Sequence, residues 1–553
     1  MQRAWLREFN ALGLQLRPQA ARLVTSFLHE CEDPQSMVEA LVEHTKAYFR
    51  TRHGSVDAVI DSEVITAVIN CMHEAKGDSG VPDVIDTHSL GDGIQIYNVL
   101  QDVRPFDYNR ATKEWAQSTQ PAQLFPSPEV KSKMYADRYH LLWQRLLLEG
   151  ELIPEADAQL AALLPGQRVL TPVESLVGNP GRKLTFGLLS RTHEEGIRRW
   201  TIEDLHKVYP AEMAVTASEH LVTDGSFVLA EGELVGDNFV IQHLDVPGAV
   251  PRSVTREKDE IPAQIFGGEL TEEQVNTLAK AELENGGGMY VVLCEVHLDS
   301  ARTLERLQDL FQGYESTEPP VGYVLMGSFC SSAFVPTAEG VREYREGFER
   351  LKFMMRNLPR HSQRGSRFVF IPGPNDPGAS MLPRAPLADY ITANMAKELP
   401  GVIMATNPCR LRHFSREMVF FRHDVLRLLR RNEAVPLRER CRDDAMGEND
   451  VNQLVTPSPQ YVREEMVRLL LDQAHLVPLP LEESNILWAY DHTLRLYPLP
   501  HAVFVGGVSQ AFESVYQECN FCSVGPFHRD ASFYCYHPLE STMEPCEVPD
   551  RAG

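Results

Sequence analysis

The stretch Met289-Tyr-Val-Val-Leu-Cys-Glu-Val-His-Leu-Asp-Ser300 constrains the fold most. Its apolar run opens directly into Glu295, His297 and Asp299, the pattern of a strand buried on both faces whose carboxyl end carries polar side chains. In parallel sheets, ligands and chemistry gather outside such ends. Gly322-Tyr-Val-Leu-Met-Gly-Ser-Phe329 and Arg367-Phe-Val-Phe-Ile371, which runs into Pro372-Gly-Pro-Asn-Asp376, repeat the pattern. Helical spacing over 301–311, and of Val341, Tyr344, Phe348, Leu351 and Met355 within 337–358, separates these strands. The alternation predicts an α/β domain over 289–553. Further strands are expected at Val402-Ile-Met404, Glu417–Phe421 and Ala502–Gly507, with Phe533–Tyr536 closing the sheet.

That order of strand ends resembles the calcineurin-like metallophosphoesterase fold. There Asp-x-His, Gly-Asp, Gly-Asn-His and Gly-His-x-His corners hold two metals about 3.5 to 4 Å apart. Glu295 and His297 stand at the first corner, but the others depart from the pattern. The metal-bridging carboxylate is replaced by Ser328, a neutral hydroxyl. Pro374 and Asn375 replace the amide ligand and the imidazole that would protonate a leaving group, with Asp376 following. Gly507 and Ser509 stand where the last two histidines belong. The expectation is an inactive cleft holding no metal or cofactor. The rival reading is a metal-dependent phosphodiesterase or nuclease using Glu295, His297 and Asp376.

Two other clusters invite chemistry. Cys519, Cys522, His528, Cys535 and His537 have a zinc-like first spacing, but Cys535 and His537 alternate along a strand-like run and no second matched pair follows. Arg427, Arg430, Arg431, Arg438, Arg440 and Arg442 form a basic cluster interspersed with Glu433, Glu439, Asp443 and Asp444, the composition of a solvated helix face and loop. Gly286-Gly-Gly288 precedes a strand and lacks Gly-Lys-Ser/Thr, so it reads as a turn and not a phosphate loop.

Upstream, residues 1–76 read as a small helical domain from the spacing of Leu12, Leu16, Leu23, Val24, Phe27 and Leu28 and the repeat at Met37, Leu41, Val42 and Tyr48. Residues 77–165 form a proline-broken linker and tether with one helix at 129–148, whose stripe is Met134, Tyr135, Tyr139, Leu142, Trp143 and Leu146. Over 166–247, short strand-like runs alternate with turns: Arg168–Leu170, Leu184–Leu189, Ala214–Thr216, and a hairpin from Phe227 to Ile241 turning at Val235–Asn238. They predict a small β-barrel of OB-fold type. Its segment 224–245 holds five acids and no Lys or Arg, so it is a scaffold more than a single-strand groove. Residues 248–288 are a connector.

The formal charge of −24 works against unspecific attachment to nucleic acid, so DNA contact is expected to be at most indirect or local. No apolar run is long enough to span a bilayer, and the N-terminal residues lack a secretory signal's apolar core, so no membrane association is expected. Ten dispersed cysteines suit a reducing compartment.

The chain resembles the family of DNA polymerase epsilon B subunits, second-largest and non-catalytic. The resemblance rests on Glu129–Arg145, Phe227-Val-Leu-Ala-Glu-Gly232, Phe368–Gly378, Leu382-Pro-Arg-Ala-Pro-Leu-Ala-Asp-Tyr-Ile-Thr392, Thr406-Asn-Pro-Cys-Arg410, His475–Pro480 and Trp488–Asp491, and it extends end to end. It implies an N-terminal domain similar to the lid of AAA+ ATPases, an OB-fold and an inactivated phosphoesterase domain. It also implies binding to the cysteine-rich C-terminal module of the catalytic subunit, to GINS and the replicative helicase through residues 1–76, and to small histone-fold subunits, in the nucleus. Family members tend to carry Ser-Asp-Val-Trp-Leu-Asp where Cys294-Glu-Val-His-Leu-Asp299 stands here.

Overall fold

The computed structural model describes residues 93–109, 114–118, 122–148, 152–155, 168–178, 180–194, 197–258, 272–285, 288–440, 454–508 and 510–549, with 15–17, 24 and 59–60. The chain divides into two compact units, Met1–Leu90 and Gly91–Gly553. In the first, Gln15–Leu16 pairs in parallel with Val59–Ile60, a contact that the all-helical reading does not include. The helical stretches expected over 1–76 otherwise lie outside the described residues.

In the second unit, the strands expected to share one sheet belong to two. Tyr290–Cys294, Gly322–Met326, Arg367–Ile371 and Val402–Met404 run parallel side by side. Ser532–His537 adds antiparallel to Tyr290–Cys294, and Thr542–Glu547 lies beyond it, so Phe533–Tyr536 is not the sheet's edge. A second six-stranded sheet is built from Phe512–Tyr516, Cys519–Val524, Ala502–Gly506, Arg416–Arg422, Cys409–His413 and Ile94–Tyr97. Ile94–Tyr97, which the sequence places in the proline-broken stretch ahead of the tether, pairs antiparallel with Cys409–His413.

Alternation along each strand decides the layering. Tyr290, Val292 and Cys294 face the second sheet and meet Leu411, Met418, Phe420, Phe504 and Cys522. Val291 and Leu293 face outward, under Leu307 and Phe311 of helix Ala301–Ser316 and Phe348 and Leu351 of helix Ala338–Arg356. The Ser300 and Thr337 side chains accept from the Thr303 and Gly340 amides, satisfying donors that each helix start leaves open. On the outer face of the second sheet, Val419, Phe421, Val503 and Val505 pack with Val467 and Leu470 of helix Pro459–Asp472 and with Leu189, Ile202 and Phe239 of the barrel.

The barrel has strands Lys183–Glu194, Ile197–Glu203, Val208–Met213, Asn238–Asp245 and Phe227–Val235 in that spatial order. Phe227–Val235 pairs back onto Lys183–Glu194, which closes the ring. The hairpin turn stands where its sequence placed it, between Val235 and Asn238. The run expected at Ala214–Thr216 is not a strand; the chain pairs earlier, through Val208–Met213. Leu184, Phe186 and Leu188 face helix Glu129–Leu148, which supplies Tyr139, Leu142 and Leu146. The same helix buries Arg138, Gln144 and Arg145. Arg138 binds Asp491, Gln144 donates to the Tyr497 hydroxyl at 2.7 Å, and Arg145 donates to the Pro247 carbonyl at 2.7 Å. It is therefore a packed strut between barrel and sheets.

Candidate functional site at the strand ends

The carboxyl ends of five strands meet where the two sheets converge, bringing together Glu295, Gly327-Ser328, Gly373–Asp376, Arg422 to Asp424 and Gly506-Gly507. The sheets approach so closely here that a methyl group on Gly506 would stand 2.7 Å from the Cys294 sulfur. A side chain larger than glycine has no room.

Arg422, whose side chain is 1% exposed, lies at the centre. Its guanidinium binds the Glu295 carboxylate and donates to the carbonyls of Gly327 at 2.6 Å and Gly506 at 3.2 Å, and to Asp424 at 3.2 Å. Sequence reasoning missed this residue. The signal was available: Arg422 follows the apolar run Met418–Phe421 as Glu295 follows Tyr290–Cys294.

Glu295 sits in the left-handed region, at φ 55°. One oxygen, Oε1, meets Arg422 and accepts from the Ser328 amide at 3.2 Å, while Oε2 lies 2.9 Å from His297 Nε2. Burial pushes the carboxyl up, but the His297 hydrogen bond and the Arg422 charge more than offset it and hold it at about 2. Asp299 is drawn off to Ser331, whose amide donates to both its oxygens at 3.1 Å.

Ser328 is buried and its hydroxyl has no hydrogen-bond partner among the described residues. Pro374 and Asn375 are exposed. Asp376 is buried and fully engaged, accepting from the Phe329 amide at 2.8 Å, the Gly373 amide at 2.6 Å and the Tyr344 hydroxyl at 2.9 Å. Burial pushes its carboxyl up against those donors. Gly507 abuts Asp424, and Ser509 lies outside the described residues.

The structure does not gather the rival set Glu295, His297 and Asp376 into a ligand group. Among the described residues, the ligating side chains that converge are Glu295, His297 and His528, with their ligand atoms within 4.8 Å of one another. The sequence groups His528 with the cysteines, but its ring stacks on that of His297 at 4.0 Å. The cysteines diverge. Cys519 and Cys522 enter the cores on opposite faces of the second sheet, and Cys535 meets Cys546, sulfur to sulfur at 3.6 Å, and the Tyr314 hydroxyl at 3.2 Å. The zinc spacing fails because strand alternation sends those side chains into separate layers.

Three histidines further along the chain, His475 and His492 buried and His423 half-buried, make local polar contacts: His475 lies 3.2 Å from Asp491, His492 donates to the Val103 carbonyl at 3.1 Å, and His423 lies 3.3 Å from the Ser484 hydroxyl. His423, His475 and His492 are each pushed down to about 4 by burial. Three arginines of the cluster pair with neighbouring acids, Arg430 with Glu433 at 2.9 Å, Arg427 with Asp424 at 3.7 Å, and Arg440 with Glu219, while Arg438 donates to the Leu437 carbonyl at 3.1 Å and Arg431 is exposed. Arg442 lies outside the described residues. No helix among the described residues is long and apolar enough to cross a membrane.

The two-sheet unit and the barrel with its strut fall within two sequence profiles, both of polymerase B subunits. The profile of the DNA polymerase alpha/epsilon B-subunit family matches residues 290–514, and that of the DNA polymerase epsilon subunit 2-like OB-fold domain matches 128–248. The DNA polymerase epsilon B subunit of Arabidopsis thaliana is 31% identical, over 80% of this chain and 81% of its own length. DNA polymerase epsilon subunit 2 of Homo sapiens is 29% identical over 98% and 97%. The Schizosaccharomyces pombe B subunit is 29% identical over 75% and 69%. The chain belongs to the family of DNA polymerase epsilon B subunits.

Proposed function

We propose that the chain is a non-catalytic scaffold of the DNA polymerase epsilon holoenzyme, acting in chromosomal replication in the nucleus. In this reading, the barrel and two-sheet unit hold the cysteine-rich C-terminal module of the catalytic subunit, and residues 1–76 tie it to GINS and the replicative helicase. The small histone-fold subunits join the same complex, and DNA contact is indirect or local, in keeping with the charge of −24.

The observation that carries the non-catalytic part is Arg422. A two-metal phosphoesterase needs anionic and imidazole ligands around two cations. Here a fixed guanidinium stands among the strand ends and binds Glu295, Asp424 and two carbonyls. A permanent positive charge at that point repels an adjacent metal pair and occupies Glu295 Oε1, so the carboxylate cannot serve two cations. Ser328 supplies no bridging charge, and Asp376 has committed its oxygens to three donors.

The test reconstitutes the full chain and a 77–553 truncation with the catalytic subunit's C-terminal module and with GINS. Both proteins should bind the module, and the truncation should lose GINS attachment. Loss of module binding by 77–553, or phosphodiester hydrolysis by the full chain with Mn2+, would overturn the assignment.

A further inference from the structure

His297 and His528 have no task in the scaffold reading, yet with Glu295 they form a ligand set. We propose that these residues bind a single borderline transition-metal ion of the Zn2+ or Co2+ class, as a non-catalytic clip between the first strand end and the helical turn Phe527–Asp530. Two imidazoles and a carboxylate form one of the donor sets that suit such ions.

Two ligand atoms on an ion at about 2.1 Å stand about 3.0 to 3.4 Å apart, and Glu295 Oε2 and His297 Nε2 are already 2.9 Å apart. Glu295 already has the kind of outer partners that hold a metal-binding side chain in place. Arg422 and the Ser328 amide fix Glu295 through Oε1, leaving Oε2 to face His297. In the stacked orientation His528 Nδ1 donates to the Glu295 carbonyl at 3.3 Å, a contact that the ring gives up when it turns its Nε2 toward the ion. The two rings are stacked, inclined by only 12°, so a common ion requires His528 to turn out of the stack. His528 is exposed on a four-residue helix, and the turn opens no core. On binding, the proton shared by His297 Nε2 and Glu295 moves to His297 Nδ1 and the ion takes its place.

The site takes one ion and not two, because Arg422 stands on the far side of Glu295 and Ser328 offers no bridging charge. It rests on the non-catalytic reading, and its test reports separately from polymerase binding. The full chain, dialysed against chelator, is titrated with Co2+ and followed by ligand-field absorption, then challenged with Zn2+.

The expected result is one Co2+ per chain, displaced by Zn2+. His528→Ala, a change on an exposed turn, should weaken binding about tenfold or more with far-UV circular dichroism unchanged. A control at the exposed His206 should bind as the parent does. Absence of the band at stoichiometric Co2+, a His528→Ala variant that binds as tightly as the parent, or two ions per chain with phosphodiester hydrolysis would each overturn the proposal. A negative titration leaves the reconstitution with the catalytic subunit's module unaffected.

Discussion

Replacing Arg422 with methionine tests whether the strand-end cleft is held together by a buried charge network. The substitution keeps the bulk of the side chain but leaves Glu295, Asp424 and the Gly327 and Gly506 carbonyls without their common donor. Breaking a buried ion pair by removing one partner costs about 3 to 5 kcal/mol. Glu295 is held at about 2 against 4.5 for a free glutamate, a difference worth roughly 3 kcal/mol at neutral pH to which the His297 hydrogen bond contributes ahead of Arg422, so the shift bounds the Arg422 share from above. Because the folded-state value is depressed, that stability is full above pH 4.5 and is lost as the pH falls toward 2. Urea unfolding followed by tryptophan fluorescence from neutral pH down to about 3 measures both quantities. Arg422→Met should lose about 3 kcal/mol at neutral pH and flatten the acid slope, with the residual slope coming from the His297 contact. Adding Glu295→Gln removes the stranded charge and should recover roughly half of the loss. A single variant within about 1 kcal/mol of the parent, or a double variant no better than the single one, would refute the reasoning.

The strut between barrel and sheets makes two further predictions. Phe186 packs against Tyr139 at 4.9 Å and Phe227 at 5.9 Å between ring centres, so Phe186→Ala should cost about 3 to 5 kcal/mol in urea unfolding and expose helix Glu129–Leu148 to protease. A change below about 1 kcal/mol would mean the barrel does not depend on the helix. Burial alone would push the Asp491 carboxyl up, but Arg138, His475 and Arg495 around it hold it well below the usual carboxylate range. Asp491→Asn should therefore cost about 3 kcal/mol or more and raise hydrogen exchange along the helix, whereas unchanged exchange would place the helix's anchorage elsewhere.

The sequence marked much of the α/β unit because burial on both faces leaves an uninterrupted apolar run. Tyr290–Cys294, Gly322–Met326 and Arg367–Ile371 could be read from that alone, as could the Val235–Asn238 turn and the helix from Glu129 to Leu148. Strands that mix polar and apolar residues were less legible. Val208–Met213 shows alternating partial burial, and Ile94–Tyr97 sits among loops and prolines, so neither declared itself before its partner was known. The site was legible one strand end at a time. Glu295, His297, Ser328 and Asp376 were each found because a charged or polar group follows an apolar run, but no spacing links Glu295 to Arg422 or to His528.

By itself the sequence determined the apolar strands, the helix stripes, the departures at Ser328, Pro374 and Asn375, and an acidic charge unsuited to coating DNA. These are properties of periodicity and residue chemistry, which act locally or sum over the chain. Only the tertiary structure decided that the strands divide into two facing sheets, that Asp376 turns to Phe329, Gly373 and Tyr344, and that Arg422 lies against Glu295. Glu295 and Arg422 lie 127 residues apart in sequence, and only the closing of one sheet on the other makes them neighbours. Long-range side-chain contacts are set by how layers stack, and a buried charge is neutralised by whichever partner the stacking delivers.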